Sequence, residues 1–303
     1  MDRHLDWERP RPTLRQQVEE TLRRAAASGY ADCVGLLTRA SGDLFPALRV
    51  ETNPIIAELH DLSADDLGFL IQEYSGFSNA ALHMFLEARV RNRWPALRVE
   101  ILRNMDEEFG ALTRGVPHLE LMRYGYRDEL DLETDGLGYG EATKGLIRRL
   151  NALFCTQNNV FLAGALLAFE ATAVHEFRCV DLILRQRAAR IGRVLDAGSV
   201  TAEYIAGHVA PEAGDDDPEV GHFNGMIQAI GADAPANRTE ILARSFLAVC
   251  LELSQWWDQI SVEVRLRPLR HALSAGREHP DPFEFPAASP LAAVGASHYA
   301  PVA

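Results

Sequence analysis

Apolar residues recur along this chain at intervals of three and four, the spacing that gathers them on one side of a helix. Leu14, Val18, Leu22 and Ala25 form the first such stripe, and Thr13 with Gln16 three residues later forms a capping box that opens it. Ser63 to Asp66 caps a second, carrying Leu67, Leu70, Ile71, Tyr74 and Phe77, and Ser78 or Asn79 caps a third with Leu82, Met84, Phe85 and Ala88. The pattern continues over 96–108, 118–130, 141–154 and the long apolar segment 160–182, whose helix ends on the basic residues Arg185 to Arg193. Ser199 or Thr201 caps a short helix carrying Tyr204, Ile205 and His208. Asp217 and Pro218 then stand at N-cap and N1 of a helix to Ile230. A final helix runs from Glu240 to about Leu266, where Pro268 is expected to stop it. Gly29, Gly42-Asp43 and Trp94-Pro95 punctuate, and 46–52 reads as a short extended link before Asn53-Pro54 starts a helix over 55–59.

No segment alternates apolar and polar residues as a strand does, and no repeat of 20–50 residues is present. The prediction is an all-α protein with one helical bundle over 13–275. A charged, proline-containing leader of 1–12 precedes it, and a Pro/Ala/Ser/Gly-rich tail of 276–303 is expected to be disordered.

Composition narrows the partners. A formal charge of −13 over 303 residues argues against nucleic acid, whose phosphates need clustered Lys and Arg. Four scattered cysteines without a CxxC pair suit a reducing cytoplasm. The most apolar run, 160–174, is too short to cross a bilayer and carries Glu170, so no membrane partner is expected.

The chemistry sits where acids and imidazoles interrupt the helical pattern. Asp106-Glu107-Glu108 closes a helix at its C-terminal end, where the dipole prefers cations, so a compensating positive charge is expected there. His118 opens the next helix. Glu170 stands alone in an apolar helix, where an unpaired ion costs several kcal/mol. Glu219 and His222 stand three apart on one helix face, a spacing that also occurs by chance. His175, about 140° around the helix from Glu170, reads as structural. Glu73, on the shoulder of its stripe, reads as readily as a surface residue. Carboxylates and imidazoles from several helices are the ligand set of a dinuclear non-haem iron site.

Asn104…Glu108-x-Gly110…His118-x-Glu120-Leu, followed by an apolar helix carrying Glu170 and then a His/acid/His segment, resembles the haem-oxygenase-like diiron oxidases. The resemblance covers roughly 60–230. It implies a haem-oxygenase-like bundle, two iron ions, O2 as co-substrate, a small amino-acid- or fatty-acid-like substrate and an external electron donor. Residue by residue it implies Glu73, Glu108, His118 and Glu170 as ligands, with Glu219 and His222 closing the set. The family's last ligand helix reads His-x-x-x-Asp-x-x-His, whereas Asp215 stands here where the first His belongs. Either the intervening loop is an insertion and His208 ligates, or the site has lost one imidazole.

Two other readings compete. One is a metal-free bundle that binds a small molecule or a partner; the other is a thiaminase-like hydrolase using Cys155 or Cys179. Tyr74, Phe77, Met84, Phe85 and the region around Tyr124 and Tyr126 could line a pocket. Arg123 or Arg178 could hold a substrate carboxylate. Trp256 and Trp257 suggest a homodimer through the last helix.

Overall fold

The structure is a computed structural model that describes residues 12–111, 113–134, 138–209, 218–234 and 238–275. The expected leader over 1–12, except Pro12, the tail from 276 and the positions of Asp215 and Asp217 lie outside these. By compactness the chain divides into residues 1–264 and 265–303, and all that follows on packing concerns the first unit.

Among the described residues there are eleven α-helices, two 3₁₀ turns and no strand. They are α1 (Leu14–Ala26), α2 (Tyr30–Leu44), α3 (Pro54–Ala57), α4 (Ala64–Arg91), α5 (Pro95–Glu108) and α6 (His118–Leu130). After these come α7 (Glu141–Phe154), α8 (Asn159–Arg190), α9 (Val200–Ala206), α10 (Pro218–Asp233) and α11 (Thr239–Ala275). The caps read from sequence hold: Thr13 and Ser63 each close a capping box, and Asn53 and Ser199 accept from the first turns of α3 and α9.

Several boundaries differ from expectation, each for a physical reason. Gly42-Asp43 does not end α2, because Leu37, Ala40 and Ser41 are buried beside it and packing overrides a weak local preference. Ser78 and Asn79 start no new helix. Buried Phe77 and Met84 on either side keep α4 docked through its 28 residues. Residues 46–48 form a 3₁₀ turn instead of an extended link. Pro268 lies inside α11, where it forfeits one i→i−4 hydrogen bond without ending the helix.

Helix α8 is the centre. It packs against α4, α7 and α10, while α5 lies beside α4 and α10, and α6 beside α9. By length and apolarity α8 passes the test for a membrane-crossing helix, yet most of its apolar window is buried by its neighbours and Ala163 to Ala168 are fully enclosed. Gly164 has no room for a side chain because the Leu242 carbonyl of α11 approaches it. Trp256 and Trp257 are spent inside this core: the Trp256 indole N–H donates to Thr143 at 2.9 Å, and both side chains are buried. They offer no surface for the dimer that sequence suggested.

Candidate metal centre

The site forms where α5, α6, α8, α9 and α10 converge. Two devices bring the first pair of groups together. Glu108 ends α5 and His118 opens α6, and the link between them reverses direction through Gly110 (φ 100°), Arg114 (φ 56°) and Gly115 (φ 83°). A Cβ on Gly110 would stand 2.7 Å from the backbone of Gly115 and Val116, so only glycine fits. Thr113 closes the loop by donating to the Val116 carbonyl at 2.5 Å.

The approach of α9 to α6 sets the third group. The Glu129 carboxylate accepts from the Val200 and Thr201 amides at 2.7 and 2.9 Å, capping α9 from α6. A Cβ at Gly125 would fall 3.0 Å from the Thr201 nitrogen, and one at Gly207 would fall 3.1 Å from the His118 ring. The chain therefore leaves α9 with His208 against His118, their ring centroids 4.8 Å apart. Ligand atoms of Glu108, His118 and His208 all lie within 4.8 Å of one another.

Around this trio the remaining predicted residues are distributed unevenly. Glu219 accepts from, or shares a proton with, His208 Nδ1 at 2.8 Å. That bond leaves His208 Nε2 facing the cluster, as a carboxylate behind a metal-bound imidazole does. His222 Nε2 meets Glu107 at 2.8 Å. Glu170 is buried and its Oε1 accepts from Asn104 Nδ2 at 2.7 Å. Glu73 is placed elsewhere: its carboxylate accepts the Gly140 amide at 2.7 Å, and it does not line the cavity. Among the acids that end α5, Glu107 meets Arg103 at 3.0 Å and His222 at 2.8 Å, and Glu108 lies 3.5 Å from His118 Nδ1.

Charge is finely opposed here. Burial pushes the Glu108 carboxyl up, but His118 beside it and the charges of His208 and His222 overcome this and hold it below its ordinary value. Burial pushes His208 down, while its bond to Glu219 and the charges of Glu108, Glu219 and Glu107 carry it above its ordinary value. Glu170 is driven far up by burial and by the charges of Glu219, Glu100 and Glu108, against the Asn104 bond. Burial of this kind favours the protonated acid, and a bound cation would oppose it.

The donor set fits a metal. Both nitrogens of His118, Nε2 of His208 and Nδ1 of His222 are buried without a hydrogen-bond partner among the described atoms. Buried polar atoms are seldom left so, and imidazole nitrogens beside carboxylates are what iron takes.

A cavity of about 90 Å3 lies above these groups, walled by Tyr74, Phe77, Phe85, Phe169 and Phe177. Of the residues expected there, Met84 is buried away from it, and Tyr124 and Tyr126 do not line it. Neither Cys155 nor Cys179 lines it. Burial pushes the Cys179 thiol up, the opposite of an activated nucleophile. His175 also stays outside, in keeping with a structural role. Sequence reasoning missed Glu107, Glu176, Phe177 and Tyr204. Glu176 had a signal: with Glu170 and Ala173 it continues a run of every third residue along the cavity face of α8.

Two crystal structures of a CADD-like protein of unknown function from Nostoc punctiforme PCC 73102, at 2.00 and 1.35 Å resolution, share this fold. They superpose with TM-scores of 0.69 and 0.68 at 20% and 21% identity. They cover 78% of this chain and 98% and 96% of their own. Such CADD-like proteins have the haem-oxygenase-like all-helical fold. No curated protein matches the chain. The model of a domain of unknown function with solved structure, DUF3865, matches residues 34–263, and the chain belongs to that family.

Proposed function

We propose that this protein is a non-haem diiron oxidoreductase that uses O2 to oxidise a small organic substrate held in the cavity. The observation that carries the reading is the convergence of Glu108, His118 and His208 within 4.8 Å, with both nitrogens of His118 and Nε2 of His208 buried without a hydrogen-bond partner among the described atoms. Glu170 and His222 lie close to this trio and would supply donors for a second ion, with Glu219 orienting His208 from behind. When bound, reduced iron supplies the electrons and the open coordination position that O2 activation needs. The chain's part is to aim the donors and keep the chamber dry. Glu219 fixes the tautomer of His208, the Gly110 turn sets Glu108 against His118, and the aromatic walls exclude water. An external electron donor completes the cycle.

Anaerobic titration with Fe(II), followed by O2 exposure under Mössbauer and absorption spectroscopy, tests this. Close to two irons per chain, lost in Glu108→Ala and His118→Ala, is the expected result. An intact protein that takes up no iron would sink the proposal.

A second reading, a metal-free binding protein, rests on the Asn104–Glu170 and Glu219–His208 bonds, which satisfy those carboxylates without an ion. It expects Glu170→Ala to be neutral or stabilising in every preparation.

A further inference from the structure

The cavity has a second polar pole that the metal ligands do not use. Glu176 projects from α8 into the chamber six residues beyond Glu170, about 9 Å along the helix axis. Tyr74 of α4 lies close enough for its hydroxyl to act on that carboxyl. The Tyr74 ring stands edge-on to Phe77 and Phe177, each at 6.3 Å, and Phe177 stands edge-on to Tyr204 at 6.2 Å.

No Lys or Arg lines the cavity among the described residues. Arg123, one of the two cations that sequence offered for a substrate carboxylate, is engaged by Glu120 at 2.9 Å, and Arg178 is not at the wall. A carboxylate entering this pole would find no cation to pair with and would meet the charge of Glu219. An ammonium group would meet Glu176, which burial and the Glu219 charge hold protonated in the empty cavity and which an arriving cation returns to its carboxylate form, beside the aromatic rings.

We propose that Glu176, with Tyr74 and the rings of Phe177 and Tyr204, is an ammonium subsite, so that the substrate is a small primary amine. Its apolar body lies along Phe77, Phe85 and Phe169, and its amino group is held at Glu176, about 9 Å along the axis of α8 from Glu170. The spacing selects short amines, in which about three to six bonds separate nitrogen from the carbon presented to the metal centre. The role of substrate rests on the diiron reading; the binding of an amine does not.

The test is therefore a binding measurement with defined probes on the full-length protein, metal-free and loaded anaerobically with Fe(II). Phenethylamine and 3-phenylpropionate have similar length and opposite charge. Isothermal titration is expected to show phenethylamine binding at least about tenfold more tightly than the acid. Glu176→Gln should weaken the amine by at least about tenfold, with iron stoichiometry and thermal midpoint retained. Tyr74→Phe should weaken it less.

Equal or tighter binding of 3-phenylpropionate overturns the subsite, as does unchanged amine affinity in Glu176→Gln, or no binding of either probe. Amine binding by a protein that takes no iron leaves the subsite standing and removes the diiron reading. Iron uptake without amine preference does the reverse.

Discussion

The His208 imidazole lies flat on the Phe177 ring, with centroids 3.7 Å apart and planes 6° from parallel. Glu219 fixes that imidazole from the side through Nδ1, so ring plane and tautomer are set by different neighbours on different helices. Removing the stacked face frees rotation about the His208 side chain while leaving its hydrogen bond. Phe177→Leu is expected to weaken Fe(II) binding about tenfold, with Phe177→Tyr restoring it. Titration of the two variants, alongside thermal midpoints, separates lost orientation from lost packing: packing alone would lower the midpoint and leave iron affinity unchanged.

The hydrogen bond itself makes a stronger demand. Without Glu219 the imidazole can place its proton on either nitrogen, and the carboxylate's charge no longer favours proton placement on Nδ1. Glu219→Ala should reduce iron affinity about 10- to 100-fold, the range found when a carboxylate behind a metal-bound histidine is removed. Equilibrium competition against a chelator measures it. An unchanged affinity would assign Glu219 to the apo fold alone.

Gly110 tests the turn that joins the first two ligands. At φ 100° an alanine is strained, and its Cβ would meet Gly115 and Val116 at 2.7 Å. Gly110→Ala should cost about 1–3 kcal/mol, lowering the thermal midpoint by several degrees. Iron binding should fall with it, because the turn can relax only by moving Glu108 away from His118. A variant that loses stability but binds iron as the parent does would show that the two ligands are positioned independently of the loop.

Much of this arrangement was legible in the sequence, and its limits have physical causes. Caps are local, so Thr13, Asn53, Ser63 and Ser199 could be read from their neighbours alone. The starts of α6 and α7 match the pattern because Pro117 and Gly140 immediately precede them. Glu170 was visible because an acid within a run of apolar residues has to be explained by tertiary contacts. Glu73 looked similar, yet its partner is the Gly140 amide, 67 residues away, which no helical spacing reveals. Ser78 and Gly42 misled for the opposite reason: their local preference is real and burial of their neighbours overrides it. Phe177 and Tyr204 looked like ordinary core residues, and only the docking of α9 against α6 and α8 turns them toward His208.

Glu176 makes stability depend on pH. Burial, with the charge of Glu219 added, pushes its carboxyl up to about 8, the Tyr74 hydroxyl opposing. Facing it are Tyr74 from α4, Tyr204 from α9 and Glu219 from α10. Between its unfolded value near 4.5 and about 8, the folded state holds the proton that the unfolded state has released. Stability from this group is therefore full below the unfolded value and lost as pH rises through about 8. Urea unfolding of metal-free protein at pH 5.5 and pH 8 should show a smaller loss on raising pH in Glu176→Gln than in the parent. Equal losses would mean that Glu176 is solvated.

Glu170 decides between the two functional readings. In metal-free protein burial and the charges of Glu219, Glu100 and Glu108 favour its protonated form, and it is bonded to Asn104. Glutamine keeps the shape and can still accept from Asn104, so Glu170→Gln should leave metal-free stability unchanged or slightly raised. Iron changes the balance. Binding to the folded state alone stabilises it by RT ln(1 + [L]/Kd), about 2.7 kcal/mol at one hundred times Kd. If Glu170 is a ligand, the glutamine variant should lose most of the rise in thermal midpoint that Fe(II) gives the parent, because an amide oxygen cannot replace a carboxylate's charge. It should also bind fewer than two irons. Should Fe(II) raise both midpoints equally, Glu170 is a structural acid and the centre is mononuclear, built on Glu108, His118 and His208. Should it raise neither, the metal-free reading holds.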